Sequence, residues 1–167
     1  LVIDHAAAIG KKILISGGGR CNFTNLHVSS NNFLSRNPHF CKSALSRFPP
    51  SAIIALVEKH GVPYEEREHG QLFCAESARD IVRILVKECR TAGVTIALEQ
   101  KVEKVRKTEI FEVATNSGIF TAQSLVVATG GYSYPRVGAS GFGYDLARQF
   151  GLQVTELRPG LTPLLFS

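Results

Sequence analysis

Apolar positions along this chain recur with two different periods, and the change between them organises the sequence. Leu1-Val2-Ile3 reads as a strand in progress, closed by Asp4. Lys12-Ile13-Leu14-Ile15 is a second short apolar run, expected as a strand that ends at a glycine loop. A period near 3.6 follows. Asn37-Pro38 predicts a helix start, with Asn37 as cap, and Phe40, Ala44, Leu45 and Phe48 on one face. Pro49-Pro50 stops that helix, and a second runs through Ile53, Ile54 and Val57 to Gly61. Ser77 and Asp80 form an S-x-x-D cap ahead of Ile81, Leu85 and Cys89, an amphipathic helix closed by Gly93.

From Val94 the period becomes two. Phe111, Val113 and Thr115 alternate with polar neighbours, and Asn116-Ser117-Gly118 turns the chain into Ile119-Phe120-Thr121. A hairpin is expected there, or a longer meander beginning near Thr95. Leu125-Val126-Val127-Ala128 is a continuous apolar run of the kind found in strands buried on both faces of a parallel sheet. A last helix is expected from Gly143 to Phe150, with Gly151 as its stop. Strands alternating with helices indicate an α/β architecture with the hairpin region attached.

Composition narrows the classes. The chain has 167 residues, 44% hydrophobic and 20% charged, enough for one domain with a real core and unlike a disordered segment. No apolar run is long enough to span a bilayer. The net charge of +5 raises nucleic acid as a partner. Acidic residues such as Glu65, Glu99 and Glu103 interrupt the bases, however. The cluster Lys101, Lys104, Arg106 and Lys107 reads as a solvated face, so a nucleic-acid partner is not expected. The four cysteines (Cys21, Cys41, Cys74, Cys89) and the five histidines show no metal-ligand spacing. Reduced thiols in a cytoplasmic protein fit them best.

Open α/β sheets bind ligands just beyond the carboxyl ends of their strands, and three such ends carry unusual residues. Asp4 can accept hydrogen bonds from both ribose hydroxyls of a dinucleotide, or simply begin a turn. The glycines of Ser16-Gly17-Gly18-Gly19-Arg20-Cys21-Asn22 let backbone approach a flat ring or a phosphate closely. Arg20 then offers charge, and Asn22 offers donors and an acceptor. It is not a Walker loop, because the Lys-Ser/Thr is absent. Thr129-Gly130-Gly131 can present bare N–H groups to a cofactor or form a tight turn. Tyr134 lies in a further irregular stretch.

The run Gly10-Lys11-Lys12-Ile13-Leu14-Ile15-Ser16-Gly17-Gly18-Gly19-Arg20-Cys21-Asn22-Phe23-Thr24-Asn25 resembles the signature of the BaiN-type FAD-dependent oxidoreductases, also described as aminoacetone-oxidase-family flavoproteins. The likeness continues through Gly61-Val62, Gly70-Gln71-Leu72-Phe73, Val126 to Gly131, Ser133-Tyr134-Pro135 and Pro159 to Leu164. It implies part of a Rossmann-like FAD-binding domain over residues 1–157, with the start of an interrupting, largely β domain at 158–167. It further implies that Asp4 holds the adenosine ribose and that Lys12 and the loop Ser16, Gly17, Gly18, Gly19, Cys21 and Asn22 run toward the flavin. By the same likeness Val102 meets the adenine through its backbone, and Thr129, Gly130 and Gly131 form the second dinucleotide-contacting turn. Gln71 stands where many relatives carry Arg. The family's G-x-G-x-x-G does not occur in the chain, so segments before and after this sequence are expected.

The leading functional expectation is hydride transfer between FAD and a small organic substrate, with reduction of a conjugated C=C bond as one form of it. NADH or NADPH is a candidate electron donor, and Arg20, Asn22 and Tyr134 are the catalytic candidates. The rivals are a flavin-dependent RNA-modifying enzyme and a non-catalytic flavoprotein remnant.

Overall fold

A computed structural model describes residues 1–132 and 138–158. The chain divides into two compact units, Leu1–Val2 with Ala8–Ile96, and Ile3–Ala7 with the chain from Ala97 onward. It passes between them in β1 (Val2–Ile3), between Ala7 and Ala8, and in β5 (Ile96–Ala97); β1 and β5 pair with each other.

The first unit begins with α1 (Lys11–Ile15), where a strand was expected. Leu14 N–H donates to Gly10 O at 3.0 Å, closing a helical turn. The reason is backbone pairing. A lone strand leaves its N–H and C=O groups unpaired, whereas a helical turn satisfies them within the segment. A sheet follows from β2 (Asn22–Asn25), β3 (Tyr64–Arg67) and β4 (Gln71–Cys74), antiparallel in the order β2-β4-β3.

Helix α2 (Lys42–Arg47) starts later than Asn37-Pro38 suggested. Asn37 Oδ1 accepts from His39 N–H at 3.0 Å, which closes a local turn in competition with a helix start. Phe40 and Phe48 are therefore 60% and 58% exposed rather than core. Helix α3 (Pro50–Lys59) starts on Pro50 and ends just before Gly61, as expected. In α4 (Arg79–Thr91) the Ser77 hydroxyl accepts from Arg79 N–H at 3.2 Å, while Asp80 pairs with Arg83 instead of completing the reciprocal cap. Ile81 and Ile84 are its buried face, and Leu85 is exposed.

Those pieces enclose one core, with Val57, Val62, Cys74, Ala78, Ile81, Ile84 and Cys21 buried and Ile13, Phe23, Leu56 and Tyr64 packed against them. His60 is a satisfied histidine of this unit. Its Nε2 lies 2.7 Å from Glu88 Oε1, which also accepts from Lys59 Nζ at 2.8 Å, so the end of α3 is tied to α4.

In the second unit β6 (Val102–Lys107), β7 (Phe111–Thr115) and β8 (Gly118–Ala122) form an antiparallel meander. Val105 faces Val113, and Val113 faces Phe120. This alternation buries one face of the sheet against Leu146 of α5 (Phe142–Gln149), with Ile3, Leu125 and Phe142 packed alongside. Lys104, Arg106 and Lys107 are exposed.

Leu125-Val126-Val127-Ala128 departs from expectation, because it belongs to no strand and Val126 is 86% exposed. A central parallel strand requires hydrogen-bonded neighbours, and no described strand pairs with this run. The expected boundary at 158 abuts residues 159–167, outside the described residues.

Candidate functional site

The glycine loop is built by conformations that favour glycine. Gly17, Gly18 and Gly19 have φ of 55°, 65° and 85°, and Cys21 follows with φ 52°. Four backbone bonds set its path: Arg20 N–H to Gly17 O at 3.3 Å, Cys21 N–H to Ser16 O at 3.0 Å, Cys74 N–H to Arg20 O at 2.9 Å, and Ala78 N–H to Gly19 O at 2.7 Å. The Ser16 hydroxyl donates to Ile13 O at 2.7 Å, fastening the loop to α1.

The two sides of the loop differ. A Cβ on Gly17 would lie 2.7 Å from both Phe73 Cε1 and Asn22 N, so that side is filled. A Cβ on Gly18 would meet nothing within 4 Å. Bare backbone is thus presented to open space by a loop whose other side is fixed in the core.

Arg20 does not extend freely from this loop. Its Nη1 donates to Glu65 Oε1 at 2.9 Å, and the same oxygen accepts from Arg67 Nε at 3.0 Å and Nη2 at 2.6 Å. Hydrogen bonding from Arg67, with Arg20 adding to it, holds the Glu65 carboxyl below its ordinary range. Arg67 in turn lies over the Phe73 ring, 4.3 Å from its centroid. Glu65, Arg67 and Phe73 therefore position the loop, although the sequence analysis gave them no such role. The Glu65-x-Arg67 spacing in a strand, which puts both side chains on one face, was the available signal.

Cys21 is buried, and it belongs to the core beneath the loop along with Cys74. Burial first, then the neighbouring Cys21, pushes the Cys74 thiol up to about 11. The Asn22 side-chain amide, oriented to satisfy both of its atoms, donates to Thr24 O at 2.9 Å and Leu72 O at 3.3 Å. Lys12 lies exposed in α1.

The remaining candidates belong to the second unit. Asp4 Oδ1 accepts from Ala6 N–H at 2.9 Å, and the Asp4 backbone bonds Ala97 O and Gln100 N–H. Its side chain is 44% exposed, so a turn-forming role and an accessible carboxylate coexist. Val102 opens β6 opposite Thr115. Thr129-Gly130-Gly131 is irregular backbone beside the start of α5, and Gly131 carries the Tyr144 hydroxyl where a Cβ would stand. The Tyr132 and Tyr144 rings are 5.5 Å apart. Tyr134 lies outside the described residues. No group of three metal-ligating side chains occurs among the described residues, and no helix there is long and apolar enough to cross a membrane.

Residues 1–161 match the HI0933-like protein Rossmann domain. The chain belongs to that family. The match supports the α/β class and the FAD-binding Rossmann type expected from the glycine-loop signature. The chain is 52% identical over 164 residues to the ribosomal RNA dihydrouridine synthase of Escherichia coli K12, covering 98% of this chain and 41% of the relative. It is 45% identical over 170 residues to the protein of the same name from Haemophilus influenzae Rd, covering 99% and 42%. Over 165 residues it is 27% identical to the 3-dehydro-bile acid delta(4,6)-reductase of Clostridium scindens, covering 98% and 40%. The chain thus spans about two-fifths of these relatives. The resemblance to the BaiN-type subgroup holds at the level of the family, while the more similar of these relatives carry another name.

Proposed function

We propose that the protein containing this chain is an FAD-dependent reductase that converts uridine to dihydrouridine in ribosomal RNA. One observation carries the reading: 52% identity along 98% of the chain to a protein of that name. The more distant bile-acid reductase is named for a reduction as well. The expected reduction of a conjugated C=C bond suits uracil, whose C5=C6 bond is conjugated to a carbonyl. The change of substrate class, from a small molecule to RNA, moves the reading from the leading sequence expectation to its rival.

FAD fits what the chain offers. The open backbone at Gly18 is a surface on which a flat ring can lie without meeting a Cβ. The half-exposed Asp4 carboxylate suits a ribose hydroxyl. When bound and reduced, with NADH or NADPH as the proposed source of its electrons, FAD would supply hydride to one carbon of the C=C bond, and a proton delivered to the other carbon would complete the reduction. Arg20, clamped by Glu65, contributes a positive charge fixed beside the loop rather than a mobile clamp. Asn22 holds the shape of the loop through its bonds to Thr24 and Leu72. The cofactor-contact roles of Lys12, Ser16, Cys21, Val102, Thr129, Gly130 and Gly131 stand as part of the same proposal.

The test uses the product of the full open reading frame. The purified protein should show flavin absorption, and ribosomal RNA from cells lacking the gene should lose dihydrouridine by nucleoside mass spectrometry. Adding the protein with FAD and NADH or NADPH should restore it. Unchanged dihydrouridine in the deletion strain would overturn the reading.

A further inference from the structure

All 14 carboxylate residues of the chain lie outside residues 5–57, a stretch that carries Lys11, Lys12, Arg20, Arg36, Lys42 and Arg47. The first three belong to α1 and the glycine loop, and Arg20 is paired with Glu65, which it shares with Arg67. The other three lie between Leu26 and Phe48, a segment with a different surface. Arg36, Lys42 and Arg47 are exposed and form no ion pair with a described residue. Among them stand unusually bare apolar side chains: Leu34 is 97% exposed, and the rings of Phe33, Phe40 and Phe48 are exposed too. Beside Phe48 a recess of about 270 Å³ opens between Phe23, Val28, Leu45 and Ile53.

We infer that the Leu26–Phe48 surface is where ribosomal RNA docks, an inference that rests on the proposed function. The occupant follows from complementarity. Unneutralised cations with no carboxylate among them favour a polyanion, and exposed rings beside those cations favour one that also offers flat faces for stacking. Single-stranded RNA has both properties. Arg36, Lys42 and Arg47 meet phosphates, Phe33 and Phe40 stack on bases, and the recess at Phe48 provides room for one unstacked base. The cluster Lys101, Lys104, Arg106 and Lys107, by contrast, is interrupted by Glu103 and flanked by Glu99 and Glu109. The stronger signal was the missing acids, not the density of bases.

The experiment compares the full-length protein with two variants, R36Q/K42Q/R47Q and F33A/F40A, whose altered side chains are all exposed. The probe is total deproteinised ribosomal RNA from cells lacking the gene. Filter binding is measured between roughly 50 and 200 mM salt, with bound FAD read from absorbance and dihydrouridine from mass spectrometry. The charge variant should bind roughly 10- to 100-fold more weakly, with a log–log salt slope shallower by about 2, while retaining its FAD. The aromatic variant should lose about tenfold per ring with little change in slope. Wild-type protein that binds the RNA while both variants bind equally well would overturn the inference and leave the function standing. Wild-type protein that neither binds nor modifies the RNA would overturn the function, and this inference with it. An aromatic variant that changes only the oligomeric state would assign the surface to a second copy of the chain and overturn the RNA assignment.

Discussion

The ring of Phe73 occupies the space where a side chain on Gly17 would stand, with Phe73 Cε1 2.7 Å from that Cβ position. The backbone N of Asn22 is equally close, so the overlap cannot be relieved by rotating one ring. Gly17→Ala should therefore incur a left-handed backbone cost of about 1–2 kcal/mol and an overpacking cost of about 1–3 kcal/mol. Gly18→Ala meets open space and should incur only the first. Urea midpoints of the two apo variants, at constant m-value, measure the difference. The order should invert for cofactor affinity relative to stability. Gly18→Ala should lower FAD affinity out of proportion to its small stability loss, because it puts a methyl on the open face.

Glu65 is the common acceptor for Arg20 and Arg67, and its carboxyl is held below the ordinary value of 4.5, chiefly by Arg67. A carboxylate whose folded value is depressed adds stability above its unfolded value and loses it as pH falls through the folded one. Glu65→Gln should thus lower the urea midpoint slightly at pH 7, and the gap to wild type should close as pH falls below about 4.5. The site is exposed, so the effect should also shrink in high salt. A difference that persists undiminished at pH 3 would show that the ion pairs are not its source.

These two relationships mark what could be read from the chain and what could not. The helices α3, α4 and α5 and their stops before Gly61, Gly93 and Gly151 follow from local periodicity, which a single segment carries in full. Lys12-Ile13-Leu14-Ile15 is too short for its period to separate strand from helix, and its backbone pairs within a helical turn. Leu125–Ala128 has the composition of a central strand, yet a ladder depends on neighbours remote in sequence. At the site, the three glycines announced close backbone approach. That Arg20 is clamped depends on a contact to Glu65, 45 residues away. No local pattern records such a contact.

Cys74 supplies a chemical test of the core beneath the loop. Burial pushes its thiol from 9.0 up to about 11, so almost no thiolate forms at pH 8. Brief alkylation of native protein should label the less buried Cys89 and spare Cys74, as read by peptide mass spectrometry. Cys74 should become reactive only in denaturant. The sign for stability is opposite to that of Glu65. A raised folded value gives stability that is complete below about 9 and declines as pH rises toward about 11. Cys74→Ala should remove that alkaline decline while lowering stability at neutral pH.

Asp4 separates structure from cofactor binding. Its Oδ1 accepts the Ala6 N–H, a bond that an Asn oxygen can also accept. Asp4→Asn should therefore keep the turn and the stability of the second unit, while Asp4→Ala loses the turn bond. Ribose hydroxyls are donors, and a carboxylate accepts from them more strongly than a neutral amide, by about 1–2 kcal/mol. If Asp4 holds the ribose, Asp4→Asn in the full-length protein should weaken FAD binding roughly tenfold at unchanged urea midpoint. Fluorescence titration of the apoprotein with FAD checks the first expectation, and urea unfolding the second. Equal FAD affinities for wild type and Asp4→Asn would remove Asp4 from the cofactor site and leave it a turn residue, the other role its sequence position allows.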